Sequence, residues 1–179
     1  MAFLAETLVD EWLNRQGYFT VRGLKDGVSE IDLLGVRRGT DGLDGCHAEV
    51  QASFRPVGYI APIPDADLAG FAKSRSSAKE RPEPLIRRSV DAWVQKKFKS
   101  RAKAGARERA WPGLHWKYIF VHAVVRERRE LAMIAEHGID VVPFHRVLNE
   151  LKHVSATQRG GAGTDLSEIV EYFANHGAE

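Results

Sequence analysis

The sequence has few of the features that would take it out of the ordinary globular class. It contains one cysteine, Cys46, so no disulfide can form within the chain and nothing calls for an oxidising compartment. No run approaches the roughly 18 consecutive apolar residues of a membrane span, which argues against a membrane-embedded function. The opening MAFLAETLVDEWL lacks a basic leader and carries Glu6, Asp10 and Glu11 where a signal peptide would be apolar. The expected location is therefore the cytoplasm. Internal repeats are lacking as well. What is present, 44% apolar and 28% charged residues over a length of 179, suits one well-buried α/β domain rather than two.

The net charge of +2 conceals an uneven distribution. Residues 1–53 hold 5 Lys and Arg against 9 Asp and Glu, residues 54–113 hold 14 against 6, and residues 114–179 hold 7 against 9. A middle third at +8 between segments at −4 and −2 suggests a polyanionic partner, although solvated basic helices give the same signal.

Apolar periodicity predicts the elements. Leu4, Leu8, Val9, Trp12 and Leu13 recur at helical spacing over 3–16, with Gly17 as a stop. A strand is expected at 18–22, then turn chemistry at Lys25-Asp26-Gly27. A second strand covers 29–37, with Ile31, Leu33 and Gly35 on one face and Asp32 and Leu34 on the other. After a hairpin loop at 39–45, a third strand at 47–53 puts His47, Glu49, Gln51 and Ser53 on one side. Five of the seven prolines lie in 54–84, which reads as an irregular excursion with at most a short helix near 65–73, acting as a lid or an interaction loop. Residues 85–103 are expected to form one long basic amphipathic helix through Ile86, Val90, Trp93, Val94 and Phe98. A strand buried on both faces follows at 116–125, then a helix at 127–137, a strand at 139–142 and a helix opened by Pro143. Residues 157–163 read as a linker, and Asp165 with Glu168 as the capping box of a last helix. This order implies a mixed sheet of about five strands with helices on both sides. The expected division is a core at 1–156, carrying a Pro-rich and basic insertion at about 54–113, and a linker with C-terminal helix at 157–179.

Asp32 and Glu49 carry the chemistry. An Asp from one strand and a Glu from its hairpin partner, aimed into one end of a sheet, are what a hard cation such as magnesium needs from a protein. Such a cation polarises a phosphoryl oxygen and activates water. Singly, Asp32 reads as a turn residue, Glu49 with Gln51 as a solvent face, and Glu6 as a first-turn carboxylate on the opening helix. Their joint spacing on helix, strand and hairpin partner singles them out. Zinc is disfavoured, because His115 and His122 face opposite sides of a strand, His145 and His153 are too far apart, and Cys46 has no cysteine partner. Nothing beyond the adjacent His47 supports a catalytic Cys46.

The run AETLVDEWLNRQGYFTVR, then SEIDLLGV, then AEVQ resembles the PD-(D/E)xK phosphodiesterase superfamily, nearest in its opening to Holliday-junction resolvases and related small nucleases. Glu6 and Gly17 match the helix Glu and following Gly, Asp32 the Asp, and Glu49 and Gln51 the Glu-x-Lys. The resemblance covers residues 3–53 by motif and 116–151 by element order. It implies a restriction-endonuclease-like fold, with Mg2+ or Mn2+ on Asp32 and Glu49 and Glu6 in support. It further implies hydrolysis of the nucleic-acid backbone, of DNA in the first instance, in repair, recombination or defence. Ile31 stands where Pro is usual, and Gln51 stands where the family has the lysine that orients or deprotonates water. Gln can hydrogen-bond a water but cannot act as a base. Metal-bound water can be deprotonated without a lysine, or a lysine can arrive from elsewhere in the chain, with Lys73, Lys79, Lys96 and Lys117 as candidates.

Phosphate contacts are expected from Arg87, Arg88, Lys96, Lys97, Lys99, Arg101 and Lys103 on the basic helix, with Arg107 and Arg109 beyond it. Trp93, Trp111 and Trp116 are candidates for base stacking or for the core. Cutting both strands of a duplex suits a symmetric dimer. Two other functions stay open: a nucleic-acid-binding protein that kept the fold and lost the reaction, and a scaffold whose basic segment docks on a protein partner.

Overall fold

A computed structural model of the chain describes residues 2–27, 29–53 and 55–152. The expected linker at 157–163 and the last helix lie outside the described residues. The first helix, α1 (Ala2–Arg15), buries Ala5, Leu8, Val9, Trp12 and Leu13, while Leu4 points to solvent. It stops at Gly17, whose φ of +83° lies in the left-handed region that a residue without Cβ enters freely. Three strands follow as a meander: β1 (Phe19–Asp26), β2 (Ser29–Arg38) and β3 (Leu43–Gln51). β1 runs past the expected end at 22, and β3 begins four residues early and ends at Gln51.

The remaining elements are α2 (Asp65–Phe71), α3 (Glu83–Val94), a π-helical turn (Gln95–Lys99), α4 (Arg101–Ala110), β4 (Trp116–His122), α5 (Arg129–Glu136), β5 (Ile139–Pro143) and α6 (Phe144–Lys152). The sheet order is β1-β2-β3-β4-β5, antiparallel across the first three strands and parallel from β3 through β5. The fold is α/β, with one open mixed five-stranded sheet flanked by helices, as the element order implied. No helix among the described residues is long and apolar enough to cross a membrane.

Each face of the sheet carries its own core. On one, α1 and α6 cover Leu33, Cys46, Ala48, Ile119 and Val121. Trp12 Nε1 donates to Glu150 Oε2 at 2.6 Å and Arg15 donates to the Leu151 carbonyl, tying the two helices together. On the other, Ile86, Val90, Trp93, Val94 and Phe98 pack with Phe120, Met133, Ile134 and Ile139. The stretch expected as an insertion thus supplies much of one layer. β4 is buried on both sides from Ile119 to His122, but Lys117 is exposed and the strand ends three residues short of the expected 125. Two glycines keep the strands in register: a Cβ on Gly35 would stand 2.8 Å from Cys46 Sγ, and one on Gly45 would stand 2.9 Å from the His115 carbonyl oxygen.

Two expectations change. The single helix at 85–103 is two helices with a π-helical turn between them. The chain is extended at Ser100, whose Oγ accepts from Lys103 N–H and opens α4. The excursion at 54–84 has its short helix, but its stem is no free lid. Ile60, Ala61 and Ile63 are buried, and Val57 forms a parallel bridge with Val125. Glu130, fully buried at the start of α5, accepts from Ile60 N–H at 2.5 Å and Ala61 N–H at 3.1 Å. Buried Arg81 donates to the Ala61 carbonyl at 2.7 Å and lies over the Tyr59 ring.

Burial pushes Glu130 up to about 7, against the two amides and Arg81, which favour its charged form. The folded chain therefore holds this proton more tightly than the unfolded chain. Its contribution to stability is fully present below the ordinary value of 4.5 and is lost as pH rises to about 7, by on the order of 3 kcal/mol. Glu130→Gln is expected to flatten that part of the stability profile relative to the parent. Urea unfolding from pH 4.5 to 8 checks this, and an unchanged profile in the variant would show that Glu130 does not titrate with folding.

Candidate active site

The first three strands bring the predicted carboxylates to one end of the sheet. β2 and β3 pair from Arg38↔Leu43 to Leu33↔Ala48. One step further, Asp32 leaves the ladder, and its Oδ2 accepts from Val50 N–H at 2.8 Å instead. Glu49 continues in β3, only 1% exposed, on the face covered by the π-helical turn and α4. Glu6, half-buried on α1, approaches the same end and adds negative potential at Asp32. Gln51 is half-buried one turn of the pleat beyond Glu49, opposite His122 of β4. Ser53 lies past the end of β3 and donates to the Arg55 carbonyl.

Both oxygens of Glu49 are paired. Oε1 accepts from His47 Nε2 at 2.9 Å and from Lys103 Nζ, and Oε2 accepts from Lys97 Nζ at 2.8 Å. These are the lysines that reach the carboxylate, rather than Lys73, Lys79, Lys96 or Lys117. His47 is held in turn by Arg107, whose Nη1 lies 2.9 Å from Nδ1 and also donates to the Phe98 carbonyl. A guanidinium can only donate, so Nδ1 is the acceptor and the proton sits on Nε2, directed at Glu49. Phe98 and Tyr118 close around the imidazole ring.

The electrostatics follow from burial set against these partners. Burial pushes Glu49 upward, but His47, Lys97 and Lys103 outweigh it and hold the carboxyl below its ordinary value. For His47 burial prevails and keeps the ring neutral. Asp32 is pushed up to about 6, first by burial and then by the charge of Glu49. Burial disfavours the charged form of Lys97, yet Glu49, Asp32 and Glu6 together raise it. Lys103, 5% exposed against 34% for Lys97, is lowered mainly by its burial.

The expected phosphate contacts divide three ways. Lys97 and Lys103 turn inward to Glu49. Arg87 and Arg88 are exposed, in ion pairs with Glu136 and Asp67. Lys96, Lys99 and Arg101 face solvent. Trp93 belongs to the core and Trp111 is 40% exposed. Sequence reading missed the inward lysines because it treated 85–103 as one helix with a solvated basic face. The signal available was the composition of RAKAGARERA. It has no large apolar residue, so a face packed on the sheet has to be made from Ala106 with the stems of Lys103 and Arg107.

Two carboxylates match in type and number what a magnesium ion usually takes from a protein, the rest being water and phosphate oxygens. Among the described residues, no three His, Cys, Asp or Glu side chains stand together to hold a metal ion. No family model and no curated protein matches the chain. A solved structure described as a protein of unknown function, AF1548, aligns over 99% of this chain and 79% of its own, at 13% identity and a TM-score of 0.48.

Removing one partner of a buried ion pair strands the other charge, whereas a partly exposed partner is replaced by water. Lys103→Met is therefore expected to lower unfolding stability by about 3 kcal/mol, and Lys97→Met by no more than about 1 kcal/mol. Denaturant melts of the two variants side by side check the ranking. Equal losses would mean that the two ammonium groups are equivalent.

Proposed function

We propose that this chain is a metal-dependent phosphodiesterase of the PD-(D/E)xK type that hydrolyses the nucleic-acid backbone, DNA in the first instance, in the cytoplasm. The observation that carries the reading is the Lys97 ammonium at Glu49. Gln51 occupies the strand position where the superfamily has its lysine, and a neighbouring element brings a lysine to the same carboxylate.

Asp32 and Glu49 would hold Mg2+ or Mn2+, which supplies a Lewis acid for a phosphoryl oxygen and lowers the pKa of the attacking water. Glu6 contributes charge at this end of the sheet. Gln51, neutral and able both to donate and to accept, orients the water. His47 and Arg107 fix the direction of the Glu49 carboxylate, and Lys103 keeps it ionised. The exposed Lys96, Lys99 and Arg101, one to four residues from Lys97, would supply phosphate contacts that are salt-dependent and blind to sequence. Cutting both strands of a duplex would call for a second copy of the chain.

A second reading has its own observation. With both Glu49 oxygens already paired to ammonium groups, the fold also suits a protein that binds nucleic acid, or docks on a protein partner, without cutting.

Cleavage of plasmid, single-stranded, branched and RNA substrates with Mg2+ or Mn2+ tests the proposal. Asp32→Ala and Glu49→Ala are each expected to lower the rate by at least about a hundredfold, a loss of roughly 3 kcal/mol of transition-state stabilisation. Salt-dependent binding by folded protein with no cleavage of any substrate would transfer the assignment to the second reading.

A further inference from the structure

The two oxygens of Glu49 are not alike. Oε1 is held by two buried donors, His47 and Lys103. Oε2 has one, the Nζ of Lys97, from a side chain about one-third exposed at the open side of the site. The same ammonium lies in the field of Asp32 and Glu6 as well, so it interacts with all three carboxylates, whereas Lys103 interacts with Glu49 and Asp32. It comes from the middle of a five-residue π-helical turn that ends at the extended residue Ser100. Such turns are rare, short and common at functional sites.

We propose that the Lys97 ammonium is a built-in placeholder for the divalent cation, bound to Glu49 Oε2 until the ion arrives and then displaced toward the open side of the site. The inference rests on the metal-dependent reading above and adds to it a competition within the chain. Two cations cannot share one carboxylate oxygen without strong mutual repulsion, and the doubly charged ion gains more from Asp32 and Glu49 than one ammonium does. Lys97 is the partner able to leave. A long flexible stem lets its head group reach water, whereas Lys103 is enclosed beside His47 and Arg107. Once displaced, Lys97 stays tethered beside the site, where a phosphate would bind. The free protein thereby keeps Glu49 Oε2 paired with a positive charge, at the cost of weaker cation affinity.

The test needs no cleavage. Mn2+ binding to the full chain, read from loss of the free-ion electron paramagnetic resonance signal, is compared across the parent, Lys97→Met, Lys96→Met and Asp32→Ala. Lys97→Met is expected to bind about tenfold more tightly, the equivalent of losing a competitor worth about 1.4 kcal/mol. Lys96→Met, which removes the same charge one residue away on an exposed position, is expected to change affinity by less than about twofold. In the unmodified chain, acylation of lysines mapped by mass spectrometry should rise several-fold at Lys97 when Mg2+ is added, with Lys103 still protected.

If the parent binds Mn2+ through Asp32 while Lys97→Met binds no better and Lys97 acylation does not change, the placeholder is overturned and the metal-dependent reading stands. If no variant binds Mn2+, both fall. If Lys97→Met binds more tightly and Lys97 is exposed by Mg2+ but no substrate is ever cut, the placeholder stands and the nuclease reading falls.

Discussion

A carboxylate almost wholly removed from water has to be met by positive charge and by directed hydrogen bonds, and in this fold the carboxylate of Glu49 organises the layer above it. Lys103 and Lys97 bring the charge from two different elements, and His47 brings the direction. Each of these has its own requirement. His47 is useful only with its proton on Nε2, so it needs a donor at Nδ1, which is Arg107. Arg107 is itself buried and is satisfied by the Phe98 carbonyl at the π-helical turn. The turn, the break at Ser100 and the small residues of α4 are thus the local conditions under which one buried charge is tolerated.

The same side of the sheet holds a second buried carboxylate, Glu130, treated differently. It is met by two backbone amides and, less directly, by Arg81, and burial dominates its ionisation. The contrast with Glu49 is one of partner type. Amides stabilise a carboxylate through hydrogen bonds alone, whereas ammonium groups also bring full charge and hold it ionised. Glu130 therefore serves as an anchor for the chain leaving β3. Glu49 retains its charge, and charge is the property that chemistry at the end of the sheet would require.

Much of this was legible in the sequence. The apolar periods of α1 and β4 are strong because each element faces a continuous core. The parity of Glu49 with His47 and Gln51 follows from the two-residue repeat of a strand. That repeat fails across Asp32: Ile31, expected on the face of Leu33, packs with Leu34 and Ala106, while Leu33 packs under α1. What was not legible depends on long-range demand. A lysine in a basic helix reads as solvated unless something buried needs it, and the need for Lys97 and Lys103 is set by a residue about fifty positions earlier. Ser100 fits the helical rhythm around it, and its role as the cap of a new helix becomes evident only when the chain has turned. Likewise the stem of 54–84 looked loose because its fixing groups, Glu130 and the backbone amides, are distant or carry no side-chain signature.

Gly35 and Gly45 extend the dependence outward. Gly35 lies in the middle of the β2–β3 ladder and Gly45 one step further from the carboxylates, and both are positions where a single added carbon would press on a neighbouring strand or its connection. β3 delivers Glu49 to the site only while its ladders with β2 and β4 keep their spacing. Variation that alters the charge cluster would thus not be confined to the residues that make it. A descendant of this chain could keep every carboxylate and lysine and still lose their arrangement through an alanine at either glycine, so inheritance of the site has to be judged at two positions that carry no side chain.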